Sequence, residues 1–246
     1  MKKSFFLILF LFFSLNIYSL NFSVAPTGFR VNLNKISTNE IQITNNTSEP
    51  LRLETFPEID PQFSEKYNLN SNIVIFPKII AMKPGAKQIV RFRIKPSPNM
   101  EEGEYKSYLT FKEIPGEIKT VDGRVSNNTN SQISMQTEIS ISIFGDKGTP
   151  LAKGSLSNIK LTYSGNNLTI SSLSSSEGNT SIKFFYSLEV LNSNLKSDGF
   201  FGMSARNGKK EISLMIEAPE KLKEKKVKLK ITDQDGKVYY DKVHTL

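Results

Sequence analysis

The chain has 246 residues, no cysteine and a single histidine, His244, two residues from the C-terminus. This composition excludes disulfides, thiolate zinc sites and cysteine nucleophiles, and it disfavours a serine triad that depends on histidine. The formal net charge of +8 comes from 32 basic and 24 acidic side chains, a basic but not extreme balance.

A secretory signal peptide is predicted at residues 1–20. MKK at residues 1–3 forms a short basic start, the apolar core Phe5–Phe13 follows, and small or polar residues stand near Ser19. That core is shorter than the roughly 20 residues that span a bilayer, although an uncleaved N-terminal anchor is the alternative. We therefore expect an exported protein with no membrane insertion after signal removal. Its formal charge is then +6, because two lysines leave with the signal.

Short alternating runs separated by turn residues predict β-strands along the first half of the chain. Glu40–Thr44 and Leu51–Phe56 alternate on either side of a turn cluster rich in Asn, Thr and Ser. The most hydrophobic run, Ile73–Ile80, contains a proline, which argues for an edge strand, a bulge or a switch from strand to loop. Two further strands are predicted within Ala86–Lys95 and Glu104–Ile114, and the second alternates between an apolar face and a more polar face.

The clearest strand is Gln132–Phe144, which follows a polar stretch at Glu117–Ser131. Its apolar residues fall on one parity and its polar residues on the other, so one face is apolar. The residues of the apolar parity, with one threonine among them, are Ile133, Met135, Thr137, Ile139, Ile141 and Ile143. Two interpretations stay open. The row faces the core of its own domain, or part of it is left uncovered to pair with another chain.

Six more strand-like runs follow in the second half of the chain. They are Asn158–Tyr163, Asn167–Leu173, Ser181–Leu191, Glu211–Glu217, Lys225–Thr232 and Lys237–Val243. In Lys225–Thr232 apolar residues alternate with lysines, which predicts a strand with a lysine-coated outer face and no nucleic-acid site. No window has helical periodicity. Two blocks of about 100 residues predict an all-β fold of two β-sandwich domains, at 21–146 and 147–246, with a short hinge at Gly145–Pro150.

No set of residues points to catalysis. DQDG at Asp233–Gly236 resembles the start of a calcium loop, but it lacks the later glutamate and the helical flanks, so a strand-connecting turn is favoured. No glycine-rich phosphate cradle is present. We therefore expect a protein that is not an enzyme, needs no cofactor and no metal, and has a binding or assembly role.

Four pieces of the first half occur in an order shared with a known family. They are Arg30 ahead of Glu40–Asn46; Phe76-Pro77 ahead of MKPGAKQIVR at Met82–Arg91; Glu104–Pro115, beginning EYKS and ending EIP; and Gln132–Phe144. This order resembles the N-terminal domain of the PapD-like periplasmic chaperones, which assemble pili and fimbriae. The resemblance covers Ala25–Phe144, and the second half agrees with the family in size and β character only.

The resemblance implies two immunoglobulin-like domains and a periplasmic chaperone that caps pilus or fimbrial-type subunits. In that family the chaperone donates an edge strand to an incomplete subunit, whose groove takes alternate apolar side chains. By position, Ile133, Met135, Thr137 and Ile139 match the donor residues. Arg30 matches the cleft arginine, whose planar guanidinium binds the carboxylate at the subunit's C-terminus. An outer-membrane assembly platform is a further implied partner.

Two positions depart from the family pattern. The family's second carboxylate-binding residue, a lysine, aligns with Ser140, so the sequence does not identify the cation that takes the place of this lysine. The next donor position upstream aligns with Ser131, so the donor row is expected to be shorter. Ile141 and Ile143 are expected to face the core of their own domain.

The alternative is a structural surface protein, either a fimbrial subunit or a two-domain adhesin. A subunit is expected to carry an N-terminal extension with alternating apolar residues. Asn21–Phe29 has only Phe22 and Val24 of that pattern, and Pro26 interrupts it. A hydrolase built on a β-sandwich is a third interpretation, with no residue set behind it. We therefore favour the chaperone.

Overall fold

The computed structural model of the chain describes residues 20–115, 136–218 and 222–246. Within these ranges the chain forms sixteen strands and one turn of 3-10 helix at Asn70–Asn72. In the described parts, no helix has the length and apolar character that crossing a membrane requires. The predicted signal peptide lies outside the described residues, apart from Leu20. The all-β prediction is confirmed.

The first nine strands form two sheets around one core. They are β1 (Phe22–Ala25), β2 (Gly28–Asn32), β3 (Ser37–Asn45), β4 (Leu51–Ile59), β5 (Ile73–Phe76), β6 (Ile79–Met82), β7 (Lys87–Ile94), β8 (Gly103–Glu113) and β9 (Glu138–Lys147). One sheet has the order β1-β3-β7-β5, and the other has the order β2-β9-β8-β4-β6. Only β2 and β9 pair in parallel among these described strands.

Strand alternation decides which side chains fill the first core. Phe92 of β7 and both Leu109 and Phe111 of β8 are fully buried. Ile141 and Ile143 of β9 are also buried, as predicted. The sequence predicts a polar outer face for β8, yet much of that face is buried too. The reason is that other side chains cover it: Ser181 of the second half of the chain bonds Glu104, and Asp60 bonds Lys106.

The proline-containing run Ile73–Ile80 behaves as predicted. Pro77 separates β5 from β6, and these two strands lie at the edges of different sheets. Because proline has no N–H to give to a ladder, it suits such a switch between edge strands.

The remaining strands form the second sandwich. They are β10 (Gly154–Ser164), β11 (Asn167–Ser176), β12 (Lys183–Val190), β13 (Lys196–Met203), β14 (Gly208–Glu217), β15 (Lys226–Asp233) and β16 (Val238–Thr245). The sheets have the orders β10-β11-β14 and β13-β12-β15-β16. Val227, Leu229 and Ile231 of β15 are fully buried while its lysines point outward, which confirms the lysine-coated strand. β13 was not predicted, since its sequence KSDGFFGM does not alternate.

The predicted hinge at Gly145–Pro150 is shorter than expected, because β9 continues to Lys147. Parallel pairing with β2 reaches Asp146, and the Leu33 N–H donates to the Asp146 carbonyl at 2.8 Å. These hydrogen bonds keep the first residues of the predicted hinge in the strand. The proposed boundary between 146 and 147 therefore falls inside β9.

Candidate functional site

A row of charged and aromatic side chains crosses the five-stranded sheet next to the second sandwich. Arg30 of β2 is opposite Phe144 of β9, and Phe144 is opposite Lys106 of β8. Ile143, the neighbour of Phe144, faces the core, so the row lies on the opposite, outer face of the sheet. Strand register thus brings together three residues that are distant in sequence.

The guanidinium of Arg30 is held by two carboxylates. Its Nη1 donates to both carboxylate oxygens of Asp146, at 2.6 and 2.7 Å, and its Nη2 donates to Glu104 Oε1 at 2.6 Å. Its Cζ lies 5.1 Å from the centroid of the Phe144 ring. Burial lowers the pKa of Arg30, but the hydrogen bonds and charges of Asp146 and Glu104 outweigh it and raise that pKa above the ordinary value. The side chain remains 42% exposed and can reach a partner.

Glu104 also joins the two sandwiches. Its side chain is completely buried, and its Oε2 accepts hydrogen bonds from the N–H and the hydroxyl of Ser181, at 2.9 and 2.5 Å. Arg206 of the second sandwich donates from Nε to the Glu104 carbonyl at 3.0 Å, and its guanidinium carbon lies 3.5 Å from the Tyr67 ring centroid. A Cβ at Gly103 would come within 2.3 Å of the Asn179 carbonyl oxygen, so the backbones are in close contact there.

Two lysines complete the cationic surroundings of Phe144. Lys106 Nζ lies 5.0 Å and Lys183 Nζ 5.9 Å from the centroid of its ring. Lys106 also donates to Asp60 Oδ2 at 2.5 Å, in a pair that is almost completely buried. A cavity of about 320 Å³ opens beside this pair, lined by residues of both sandwiches that include Tyr108 and Phe200.

The pair of Asp60 and Lys106 predicts an acid-dependent stability. Burial alone would raise the pKa of Asp60, but hydrogen bonds from Lys106 and the Gln62 N–H, together with the lysine's charge, lower it below the ordinary value. A carboxylate with a lowered folded pKa stabilises the fold above its unfolded pKa of about 3.9, and this stabilisation is lost as the pH falls through the folded value. In Asp60→Asn the free energy of unfolding should therefore fall less steeply as the pH is lowered into the acid range.

At neutral pH the same change should cost about 3 kcal/mol, because it leaves the buried Lys106 ammonium without a counter-charge. Urea unfolding at several pH values measures both effects. Glu177→Gln is the matched control, since the pair of Lys153 and Glu177 is well exposed and should contribute little. An equally steep fall in Asp60→Asn would show that this pair does not set the acid stability.

The first residues of β9 have an open hydrogen-bonding edge. On one side β9 pairs with β8 from Glu138 onward, but on the other side its pairing with β2 begins only at Ser142. The Glu113 N–H donates to the Thr137 carbonyl, so alternation in the antiparallel ladder turns the N–H and C=O groups of Glu138 and Ser140 away from β8. No other described strand pairs with these residues. This stretch can accept an added strand.

A family model described as "Pili and flagellar-assembly chaperone, PapD N-terminal domain" matches residues 23–145, half of the chain. The chain belongs to the PapD-like pilus chaperone family. The solved structure of the YadV chaperone has a TM-score of 0.52 at 11% identity, with 92% of this chain and 100% of that chain covered. This likeness concerns the fold, and it confirms the prediction of two immunoglobulin-like domains.

Two other similar solved structures have comparable coverage. The E. coli chaperone DraB gives a TM-score of 0.46 at 15% identity, covering 92% of this chain and 98% of that chain. The Salmonella enterica SafA pilin in complex with the SafB chaperone gives 0.47 at 10% identity, covering 93% and 97%. A search of curated proteins found no significant match.

The structure of this PapD-like chain places only some of the predicted site residues. Ile133 and Met135 lie outside the described residues. Thr137 is half-buried and precedes β9, while Ile139 is half-buried and packs against the first core. Arg30 lies near the second sandwich, because Glu104, which accepts from Arg30, also accepts from Ser181.

Sequence reasoning missed most of the charged residues of this PapD-like site. They are Asp60, Glu104, Lys106, Asp146, Lys183 and Arg206. One signal was present, because Glu104 and Lys106 are two charged residues on the parity of this strand that was predicted to be more polar. Ser140, where the family has its lysine, bonds Thr110 through the two hydroxyls at 2.8 Å. Among the described residues no group of acidic or histidine side chains is arranged to hold a metal ion.

Proposed function

We propose that this protein is a periplasmic chaperone that caps pilus or fimbrial-type subunits by donating an edge strand. The observation that carries the proposal is the open edge of β9 at Glu138–Ile141. A subunit that lacks one strand can pair its backbone with this edge. Family membership supports the chaperone role, and we propose that the protein has no enzymatic activity.

The proposed donor residues precede β9 in the sequence. Ile133, Met135 and Thr137 have the same parity as Ile139 in the sequence. The core-facing Ile141 and Ile143 belong to this parity too, so one alternating row serves two cores. Downstream it fills the chaperone's own sandwich, and upstream it fills the subunit's groove. Ile139, which packs against the first core at its margin, marks the transition.

Arg30 is proposed to bind the carboxylate at the subunit's C-terminus. Its exposure and its position beside the second sandwich support this role. Lys183 and Lys106 flank the same Phe144 ring, and we propose that they supply the positive charge that the family's lysine would give at Ser140. Of the two, Lys106 has a close counter-ion in Asp60, so Lys183 is the better placed to face a new carboxylate.

Export and assembly complete the proposal. Residues 1–20 act as the signal peptide, residues 21–146 and 147–246 form the two domains, and the mature protein works in the periplasm.

An outer-membrane assembly platform is the proposed second partner. Val74, Phe76 and Ile79 are well-exposed apolar residues of β5 and β6, and β6 is the far edge of the five-stranded sheet from β2. A platform bound there would leave the edge of β9 accessible.

A proline at Glu138 tests the open edge directly. Because the Glu138 N–H points away from β8, Glu138→Pro should preserve the ladder with β8 yet block an added strand. We expect the variant to remain folded by circular dichroism and to lose most of the subunit that co-purifies from the native periplasm. The subunit is to be identified by mass spectrometry.

Glu138→Ala is the control, since it removes the exposed pair with Lys112 at 3.4 Å but keeps the N–H. If Glu138→Pro retains as much subunit as Glu138→Ala, the subunit does not pair with this edge.

A further inference from the structure

Both terminal nitrogens of Arg30 already donate hydrogen bonds within the chain. Both carboxylate oxygens of Asp146 accept from Nη1, at 2.6 and 2.7 Å. An incoming carboxylate needs N–H donors of the same guanidinium, and Asp146 and Glu104 already engage Nη1 and Nη2. A subunit's terminal carboxylate therefore meets a competing carboxylate at the residue proposed to anchor it.

The two carboxylates on Arg30 differ in how firmly they are held. Glu104 is fully buried and is fixed from its other oxygen by the N–H and hydroxyl of Ser181. The Asp146 side chain is 20% exposed, and within the described part of the chain its hydrogen bonds are to Arg30. Asp146 lies near the end of β9, and rotation of its side chain breaks none of the backbone pairing. Asp146 is the carboxylate that can leave.

We propose that Asp146 is an internal competitor for the carboxylate site. In the free protein it occupies the position on Arg30 that a subunit's C-terminal carboxylate takes, and it rotates into solvent when the subunit binds. This inference rests on the proposed anchoring role of Arg30. Its consequence is specificity, because only a partner that also fills the open edge of β9 gains enough to displace Asp146. An isolated carboxylate binds weakly.

Charge supports this assignment. With Asp146 in place, Arg30 faces two carboxylates, so a third one nearby is repelled. Once Asp146 has rotated away, the subunit's carboxylate replaces it at Arg30, so the number of carboxylates around Arg30 is unchanged. Lys183, which lies near the same Phe144 ring, then faces the subunit's carboxylate. Removing the charge of Asp146 should therefore strengthen carboxylate binding without any change in the rest of the site.

Acetate and acetamide are probes that need no identified subunit. They have nearly the same shape, but only acetate carries the charge. We expect Asp146→Asn to bind acetate about fivefold more tightly than the wild-type protein, as expected for an exposed ion pair that no longer competes. The Nε–Hε resonance of Arg30 in ¹H–¹⁵N spectra reports the binding. Acetamide should shift this resonance in neither protein.

Two further variants make the result specific. Glu217→Gln removes the same charge from the far end of β14 and should leave acetate binding unchanged. Arg30→Ala in the Asp146→Asn background should abolish the gain, followed there through the ¹H–¹⁵N signals of neighbouring backbone amides. The inference is overturned if Asp146→Asn binds acetate no more tightly than Glu217→Gln does, or if the gain survives without Arg30. Neither outcome involves the edge of β9, so strand donation is judged separately by Glu138→Pro.

Discussion

Ile133→Asp and Met135→Asp should each abolish recovery of the subunit while the chaperone stays folded. Under the proposed strand donation, burying a large apolar side chain in the subunit's groove contributes roughly 1.5–3 kcal/mol, and the substitution loses this contribution. It also places a carboxylate in an apolar groove, which costs several kcal/mol more unless the charge is paired. Since about 1.4 kcal/mol corresponds to a tenfold change in affinity, we expect binding to weaken by at least ~100-fold. Co-purification from the periplasm and calorimetric titration with the purified subunit measure it.

Residues of the opposite parity provide the matched control. Ser134→Asp and Gln136→Asp add the same charge to the same segment, but on the polar face of the predicted strand. They should retain the subunit, and all four variants should unfold at the temperature of the wild-type protein. Equal binding by the two parities would contradict strand donation through this row.

Glu104→Ala should uncouple the two domains. The substitution leaves the N–H and hydroxyl of Ser181 without their buried acceptor and removes one of the two carboxylates of Arg30. Breaking a buried, hydrogen-bonded charge pair from one side typically costs 3–5 kcal/mol, and we expect about 3 kcal/mol here because Arg30 keeps Asp146. Scanning calorimetry should show the domains unfolding in separate transitions, the first at a lower temperature than in the wild-type protein.

Glu102→Ala separates this effect from a general loss of charge. Glu102 is exposed on the same segment, and its carbonyl, which accepts from Arg206 at 2.7 Å, is unchanged by the substitution. This control should unfold like the wild-type protein. A single transition at the wild-type temperature in Glu104→Ala would mean that the contact of Arg206 with Tyr67 and the backbone suffices to couple the domains.

The sequence predicts the elements that depend on local alternation. Ile141 and Ile143 face the core, β15 has its lysine-coated face, and Pro77 separates two edge strands, because each follows from residues close together in the chain. By contrast, β13 is missing from the sequence prediction. Its two glycines and two adjacent phenylalanines give no period of two, and pairing with β12 makes it a strand.

The charged part of the site could not be predicted in the same way. Arg30 bonds Glu104 and Asp146, which are 74 and 116 residues away, and only the register of the folded sheet brings them together. Family resemblance identified Arg30, but it points to a lysine where this chain has Ser140. Lys106 and Lys183 come from other strands, and no spacing in the sequence relates them to Phe144.

The proposed donor residues and the core-facing residues of β9 share one parity, and this limits which insertions and deletions the chain can tolerate. At residues 116–130, which precede the donor residues, insertions and deletions of any length leave the apolar–polar alternation from Ile133 onward intact. Between Ile133 and Ile141 a single inserted or deleted codon turns every upstream side chain to the opposite face, while a change of two codons restores the pattern. Under strand donation, subunit binding should therefore tolerate insertions or deletions of an even number of residues in this interval, but not of an odd number. Relatives that still assemble fibres should differ in length there by even numbers of residues.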